Sequence, residues 1–120
     1  MARVGYAAVF VSDMDRAVEF YEKKMGIPVR ARSADFPVWV EMATDGAVLA
    51  LNSAAPELIG RPTGITLVVG DIQAEYERMR TEGVRFVSPP TKQPWGGMTA
   101  SVVDPDGNEI GLMEEWEHSP

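Results

Sequence analysis

The chain has 120 residues, a formal net charge of −7, no cysteine and a single histidine, His118. The absence of cysteine excludes disulfides, thiolate metal sites and a cysteine nucleophile, and one histidine is too few for a three-histidine zinc site. We predict no nucleic-acid partner, because the acidic surface would repel polyphosphate and the sequence contains no basic patch.

No segment of the sequence predicts export or insertion into a membrane. The first apolar run, residues 4–11, is too short to span a bilayer and is not followed by a cleavage site of small residues. We therefore expect a cytoplasmic protein with no membrane partner.

The first half of the chain predicts a strand, a helix and three further strands. Ser12 or Asp13 is placed to cap the helix, and its apolar residues recur at the spacing of one helix face. Gly26 ends the helix, and Asp45-Gly46 predicts a tight turn between the last two strands. The predicted elements are a strand over 4–11, a helix over 14–25, and strands near 29–33, 37–43 and 47–52.

The second half repeats this order after a linker over residues 53–63, in which prolines and a glycine break regular structure. Asp71 caps a second helix that ends at Gly83. Residues 88–97 contain three prolines and two glycines, so we expect no regular structure there. The two aspartates of the run at 104–108 are predicted to form a turn. The predicted strands lie near 64–69, 84–87, 98–103 and 109–114.

The two halves are also similar in sequence. Residues 9–14 match residues 67–72 at an offset of 58, and residues 45–51 match residues 106–112 at an offset of 61. Two copies are too few for a solenoid, so the repeat predicts two similar modules packed within one domain, 1–120. We assign residues 1–52 to module one, 53–63 to the linker and 64–120 to module two.

Four segments form a combination typical of one superfamily. They are Val11-Ser12-Asp13-Met14-Asp15-Arg16-Ala17, Phe20-Tyr21 with Gly26, Pro94-Trp95-Gly96-Gly97, and Asp104-Pro105-Asp106-Gly107-Asn108. With the repeat, this combination resembles the vicinal oxygen chelate superfamily of glyoxalase I, bleomycin-resistance proteins, fosfomycin-resistance proteins and extradiol dioxygenases. The resemblance implies an α+β fold, in which two tandem βαβββ modules form a curved mixed sheet around a cup. It also implies a homodimer.

The resemblance also identifies four positions where metal-dependent members carry their ligands. In this chain they are Tyr6, Ala50, Gly64 and Gly111, and three of them have no side-chain donor. The sequence is therefore closest in character to the bleomycin-resistance branch, which binds a ligand in the cup without metal. We predict no metal, no cofactor and a small apolar or aromatic ligand, which could be cationic, with drug or toxin sequestration as one role.

Large rings and polar side chains complete the predicted site. Trp39 and Trp95 could stack on an aromatic or cationic ligand, with Trp95 as a lid over the cup. Glu41 shares a strand face with Trp39 and could attract a cation. The predicted ligand-binding residues are Tyr6, Trp39, Glu41, Ala50, Gly64, Trp95, Ser101 and Gly111.

Alternatives stay open at both the residue and the functional level. Tyr6 could be an ordinary strand aromatic, Trp39 a packing residue and Glu41 an exposed acid. One alternative function is an enzyme of the superfamily, either with a metal held by Glu41 and Glu109 or with metal-free acid–base chemistry by Tyr6 and Glu41. The other is an interaction module with an empty cup.

Overall fold

Two tandem βαβββ modules make up the computed structural model, which describes residues 1–115. Each module forms its own four-stranded mixed sheet, and neither sheet is closed. Module one contains β1 (Tyr6–Phe10), α1 (Met14–Glu19), a π-helical turn (Phe20–Lys24), β2 (Val29–Arg32), β3 (Trp39–Met42) and β4 (Val48–Asn52). After a 3-10 turn (Pro56–Leu58), module two contains β5 (Pro62–Val69), α2 (Ile72–Thr81), β6 (Arg85–Lys92), β7 (Met98–Val103) and β8 (Glu109–Glu114).

The strand order is the same in both sheets, as the internal repeat predicts. It is β1-β4-β3-β2 in module one and β5-β8-β7-β6 in module two. The first strand of each module runs parallel to the last, and the remaining pairs are antiparallel. The edge strands are therefore β1 and β2 in module one and β5 and β6 in module two. We call β1 and β5, which line a common cleft, the inner edges, and β2 and β6 the outer edges.

Both helices begin where the sequence indicates, and each is capped by an aspartate. The Asp13 carboxylate accepts a hydrogen bond from the Arg16 N–H at 3.1 Å, so Asp13 rather than Ser12 is the N-cap. Asp71 caps α2 in the same way through the Ala74 N–H at 3.0 Å. Within residues 1–115, no helix is both long and apolar enough to cross a membrane.

Several element boundaries differ from the prediction, including those of β1, which covers Tyr6–Phe10 instead of 4–11. The helix expected over 14–25 changes to a π-helical turn in its last part, where the Met25 N–H donates to the Phe20 carbonyl at 2.9 Å. The region 88–97 was expected to be irregular, but β6 continues through Pro89-Pro90 to Lys92. This is possible because β6 is an edge strand with two register shifts, where proline is tolerated. β5 begins at Pro62, inside the expected linker.

One hydrophobic core is shared by the two modules and lies on the helix side of both sheets. On β3, Val40 and Met42 point into this core and are fully buried, whereas Trp39 and Glu41 lie on the opposite face. Each sheet thus has a face packed in the core and a face turned away from it, which we call the open face. The fully buried core side chains are Val9, Val11, Tyr21, Val40, Met42, Leu49, Leu51, Ile72, Met79, Val102, Ile110 and Leu112.

A buried hydrogen-bond network connects the modules at the turn before β8. The Tyr21 hydroxyl of module one donates to the Asp104 carboxylate of module two at 2.7 Å. The Asn108 side-chain amide donates to Asp104 and to the Phe10 carbonyl, both at 2.8 Å. Burial, followed by the neighbouring Asp104 charge, raises the pKa of Tyr21 well above its ordinary value. The turn therefore also ties the two modules together.

A second contact between the modules lies at the surface of the same turn. The Asp106 carboxylate accepts from the backbone N–H of Ser12 at 2.9 Å and from the Ser12 hydroxyl. Arg16 adds an ion pair to Asp106 at 3.4 Å. Ser12 thus acts across the module boundary, which explains why the cap falls to Asp13.

Candidate functional site

The open face of the module-one sheet carries a pair of aromatic rings. The Tyr6 and Trp39 ring centroids are 5.8 Å apart, with the ring planes at 62°, which is an edge-to-face contact. Ala8, on the same strand as Tyr6, is paired with Ala50 of the intervening strand β4. Tyr6 is 56% exposed although it is a large ring on a sheet face. We call this pair, Tyr6 and Trp39, the aromatic corner.

Glu41 lies beside the aromatic corner but is not a free anion. Its carboxylate accepts a hydrogen bond from the Trp39 indole N–H at 3.0 Å and forms an ion pair with Arg30 at 3.5 Å. Its side chain is only 17% exposed. Arg30 was missing from the predicted site, because it lies at a register shift of β2 that the alternation of strand residues does not reveal. The arrangement holds the Trp39 indole in place, and the Arg30 guanidinium balances the negative charge of Glu41.

The four positions of the expected metal ligands do not form a metal site. Ala50 is fully buried and has no donor. Gly64 lies at a register shift of β5 with φ of +71°, so its backbone differs from that of Tyr6. Gly111 faces Thr66, whose hydroxyl oxygen would be 2.9 Å from a Cβ atom added at the glycine. This donor set does not fit a divalent metal ion, which needs several His or carboxylate ligands.

Carboxylates elsewhere in the described chain do not replace those donors. Glu41 and Glu109 lie on different sheets, and no group of three or more acidic or histidine side chains within residues 1–115 could hold a metal ion. His118 lies outside the described residues. The pairing of Glu41 with Arg30 is also unfavourable for a general base, since a base must be free to accept the proton of a substrate.

The open face of the module-two sheet carries hydroxyl groups instead of rings. Ser101 pairs with Gly111 on one side and with Ser88 on the other, and Gly111 pairs with Thr66. Ser101 and Gly111 belong to the predicted site, but Thr66 and Ser88 do not. The sequence repeat gives no signal for Thr66, because the offset of 58 places it at the position of Ala8, which is not a predicted site residue.

Trp95 lies at the tip of the hairpin between β6 and β7. The tip is closed by hydrogen bonds from the Gln93 N–H to the Gly97 carbonyl at 2.8 Å and from the Gly96 N–H to the Gln93 carbonyl at 2.9 Å. The indole lies directly against Gly97, where an added Cβ atom would be 2.1 Å from the ring. Trp95 is nevertheless 51% exposed, so one part of the ring is seated on the hairpin and the rest is in contact with solvent.

A separate cleft of about 820 Å³ lies along the edge strands β1 and β5, and its lining includes Thr66. Apolar side chains line it, including those of Ala7, Ile65 and Leu67. Arg78 of α2 also contributes, and its guanidinium donates to the Lys24 and Met25 carbonyls at 3.0 and 3.2 Å. None of the eight ligand-binding residues predicted from the sequence lines this cleft.

Several known proteins are similar to this chain over nearly its full length. The Bacillus subtilis (strain 168) protein YetH is 31% identical over 93% of this chain and 98% of its own. A crystal structure of a superfamily member from Sphaerobacter thermophilus DSM 20745 is 32% identical over 96% of this chain and 98% of its own, with a TM-score of 0.81.

A third similar protein has a described ligand class. TnmS3 from Streptomyces sp. CB03234 is described as an antibiotic binding protein. It is 32% identical over 97% of this chain and 98% of its own, with a TM-score of 0.84. The model of one protein family also matches residues 3–112. The chain therefore belongs to the Glyoxalase/Bleomycin resistance protein/Dioxygenase superfamily.

Proposed function

We propose that this protein binds a small aromatic molecule without a metal ion, on the open face that carries the aromatic corner. The observation that carries this proposal is the Tyr6–Trp39 pair, in which Trp39 is half-buried and held in place while Tyr6 is exposed. Exposed rings on a sheet face expose apolar surface to water, and a flat ligand stacked on them would remove that surface. Such stacking is worth about 1–3 kcal/mol by the area and ring-contact terms.

The orientation of Trp39 also favours a preformed site. Its indole N–H is already held by Glu41, and Glu41 is held by Arg30. A ring fixed in this way loses little conformational freedom when a ligand binds, which increases affinity for a given contact area. Ala8 is a small, exposed side chain two residues along β1 from Tyr6, and it leaves room for a flat molecule beside the rings.

Similarity to TnmS3 supports a binding role, since that protein is described as an antibiotic binding protein. The residues at the four metal positions favour metal-free binding over metal-dependent catalysis. Sequestration of an antibiotic or another aromatic toxin is therefore the role that we propose for this chain.

We propose further that the binding unit is a homodimer. The open faces of the two sheets are both turned away from the shared core, so one chain does not enclose a ligand between them. The outer edges are protected against pairing with another chain, β2 by Arg30 and Arg32 and β6 by Pro89-Pro90. The inner edges β1 and β5 carry no such protection along most of their length. A second copy that covers both inner edges would provide hydrogen-bond partners for their unpaired backbone N–H and C=O groups. It would also bring an open face of each module together.

A thermal-shift screen of flat aromatic compounds tests the proposed function. Compounds that bind the native state should raise the melting temperature by mass action, and added chelator should not change it. Metal analysis of the purified protein should find no stoichiometric metal. Tyr6→Ala and Trp39→Ala should weaken binding of the best compound by about tenfold or more.

Phe36→Ala is the matched control, because Phe36 is a similarly exposed ring in the connection between β2 and β3. It should leave the affinity unchanged. Equal effects of all three substitutions, or no compound that binds, would contradict the proposal. One equivalent of metal that is lost on substitution of Glu41 or Glu109 would instead support the enzyme alternative.

A further inference from the structure

We propose that a row of hydroxyl groups on module two forms the polar half of the binding site, and that the ligand is a neutral, planar aromatic molecule bearing several hydroxyl or carbonyl oxygen atoms. This inference rests on the proposed function and extends it to the class of ligand. The hydroxyl row consists of Ser88, Ser101 and Thr66.

Strand register places the three hydroxyl groups in one line across the open face. Ser88 of β6 pairs with Ser101 of β7, Ser101 pairs with Gly111 of β8, and Gly111 pairs with Thr66 of β5. With strands about 4.8 Å apart, the row extends over about 14 Å, a length that suits a molecule of two or three fused rings. Gly111 leaves a gap in the row, and the Thr66 hydroxyl is turned toward that gap.

The hydroxyl groups are available to a ligand. In the part of the chain that the structure describes, the hydroxyls of Thr66 and Ser101 are not engaged by another protein group, and that of Ser88 makes only a long contact of 3.4 Å to the Pro89 carbonyl. A hydroxyl can both donate and accept a hydrogen bond. The row can therefore pair with either a ligand hydroxyl or a ligand carbonyl.

The charges near the site favour a neutral ligand over an ionic one. On module one, Glu41 is already paired with Arg30. On module two, Val103 is paired in the sheet with Arg85 of β6 on one side and with Glu109 of β8 on the other. The charges of Arg85 and Glu109 have opposite signs. Neither face therefore presents an unpaired charge whose attraction would offset the free-energy cost of removing water from an ionic ligand.

The repeat divides the chemistry between the modules. Ser101 occupies in module two the position that Glu41 occupies in module one, since these residues pair with the equivalent positions Gly111 and Ala50. Module one therefore presents the aromatic corner beside the Glu41–Arg30 ion pair, whereas module two presents hydroxyl groups. A ligand with a flat ring system and oxygen atoms on its periphery matches both.

A titration series with one ring system tests this inference by calorimetry. The probes are 2,7-dihydroxynaphthalene, naphthalene, the naphthylmethylammonium cation and the 2-naphthoate anion. Dihydroxynaphthalene should bind most tightly of the four. Ser101→Ala should weaken its binding by about threefold to tenfold, the range of one net hydrogen bond, and leave the binding of naphthalene unchanged.

Thr81→Ala removes a hydroxyl from the surface of α2 and should change neither affinity. Tighter binding of the cation or the anion, or equal effects of Ser101→Ala on both neutral probes, would overturn the inference while leaving the proposed function intact. If none of the four probes binds, the proposed function and this inference fail together.

Discussion

Individual residues at this site carry roles that depend on contacts between strands. The pattern of β3 predicts that Trp39 and Glu41 share a face, and the structure confirms it. The sequence alone left open which face this is, because alternation does not reveal the side on which a helix packs. The partners of Glu41 were equally hidden, since Arg30 reaches it across a register shift. From its residue type alone, Glu41 suggested a cation site. In the structure its carboxylate is already paired with Arg30, so its neighbours determine what it can bind.

Tyr21 and Asp104 provide a prediction about stability at high pH. Removing the hydroxyl in Tyr21→Phe leaves Asp104 with one donor fewer and should lower the free energy of unfolding by about 1–2 kcal/mol near neutral pH. The pKa of Tyr21 is raised in the folded state, so its contribution is complete below the unfolded value of 10.0 and is lost as the pH rises above it. The Tyr21 contribution should fall by up to about 1.4 kcal/mol per pH unit above pH 10.

Urea unfolding between pH 7 and pH 11 measures this difference. The curves of the native chain and of Tyr21→Phe should converge above pH 10, because the variant has no Tyr21 hydroxyl to ionise. Tyr76→Phe, a control that keeps Tyr21, should retain the steep decline. Parallel curves for the native chain and Tyr21→Phe would show that the hydroxyl is not held protonated by the fold.

Elements were predictable where a single physical signal dominates. β7 and β8 have the predicted bounds, because β-rich runs are flanked by glycines or by the turn at 104–108. β6 was cut short in the prediction because its prolines normally exclude a strand, and only its place at a sheet edge permits them. The π-helical turn after α1 was also hidden, since apolar spacing cannot distinguish it from a continued α-helix.

The hairpin between β6 and β7 provides a prediction about how Trp95 is held. Gly97→Ala should displace the indole, because the new Cβ atom would be 2.1 Å from the ring. Gly97 has no positive φ, so alanine can adopt its backbone conformation without strain. Any loss of stability should therefore come from the contact between the new Cβ atom and the indole ring. The substitution should destabilise the native chain by about 1 kcal/mol or more and have little effect in the Trp95→Ala background.

A double-mutant cycle by urea unfolding tests this coupling between Gly97 and Trp95. Equal losses of stability in both backgrounds would show that the ring does not depend on the glycine. Affinity for the best aromatic compound provides a second readout. If Trp95 covers the ligand, as its exposed position suggests, Trp95→Ala should weaken binding by about tenfold to a hundredfold.

At the scale of the whole molecule, the repeat was the most informative feature of the sequence. An offset of about sixty residues between matching segments predicted two tandem modules, and the identical strand orders confirm this. The relation between the two sheets was not predictable, because it depends on which faces enter the shared core. The sequence also gave no sign of the cleft between the inner edges β1 and β5, which is lined by side chains of both modules.

The association state provides a further prediction at this scale. Sedimentation equilibrium at micromolar concentration should give a mass near twice the 13.1 kDa of the chain. The physical reason is that the inner edges β1 and β5 lack protection against strand pairing. A mass near that of one chain would show that the open faces are not brought together by a second copy.

The position of the bound ligand tests the central claim most directly. In a ¹⁵N-edited NMR titration with 2,7-dihydroxynaphthalene, the indole N–H resonance of Trp39, assigned by its loss in Trp39→Phe, should shift together with the backbone amides of Ala8 and Ser101. This is the result that we expect if the ligand lies on the open faces. Shifts confined to residues of the cleft, such as Ala7, Ile65 and Leu67, with no change at Trp39, would place the ligand in that cleft instead and contradict the account.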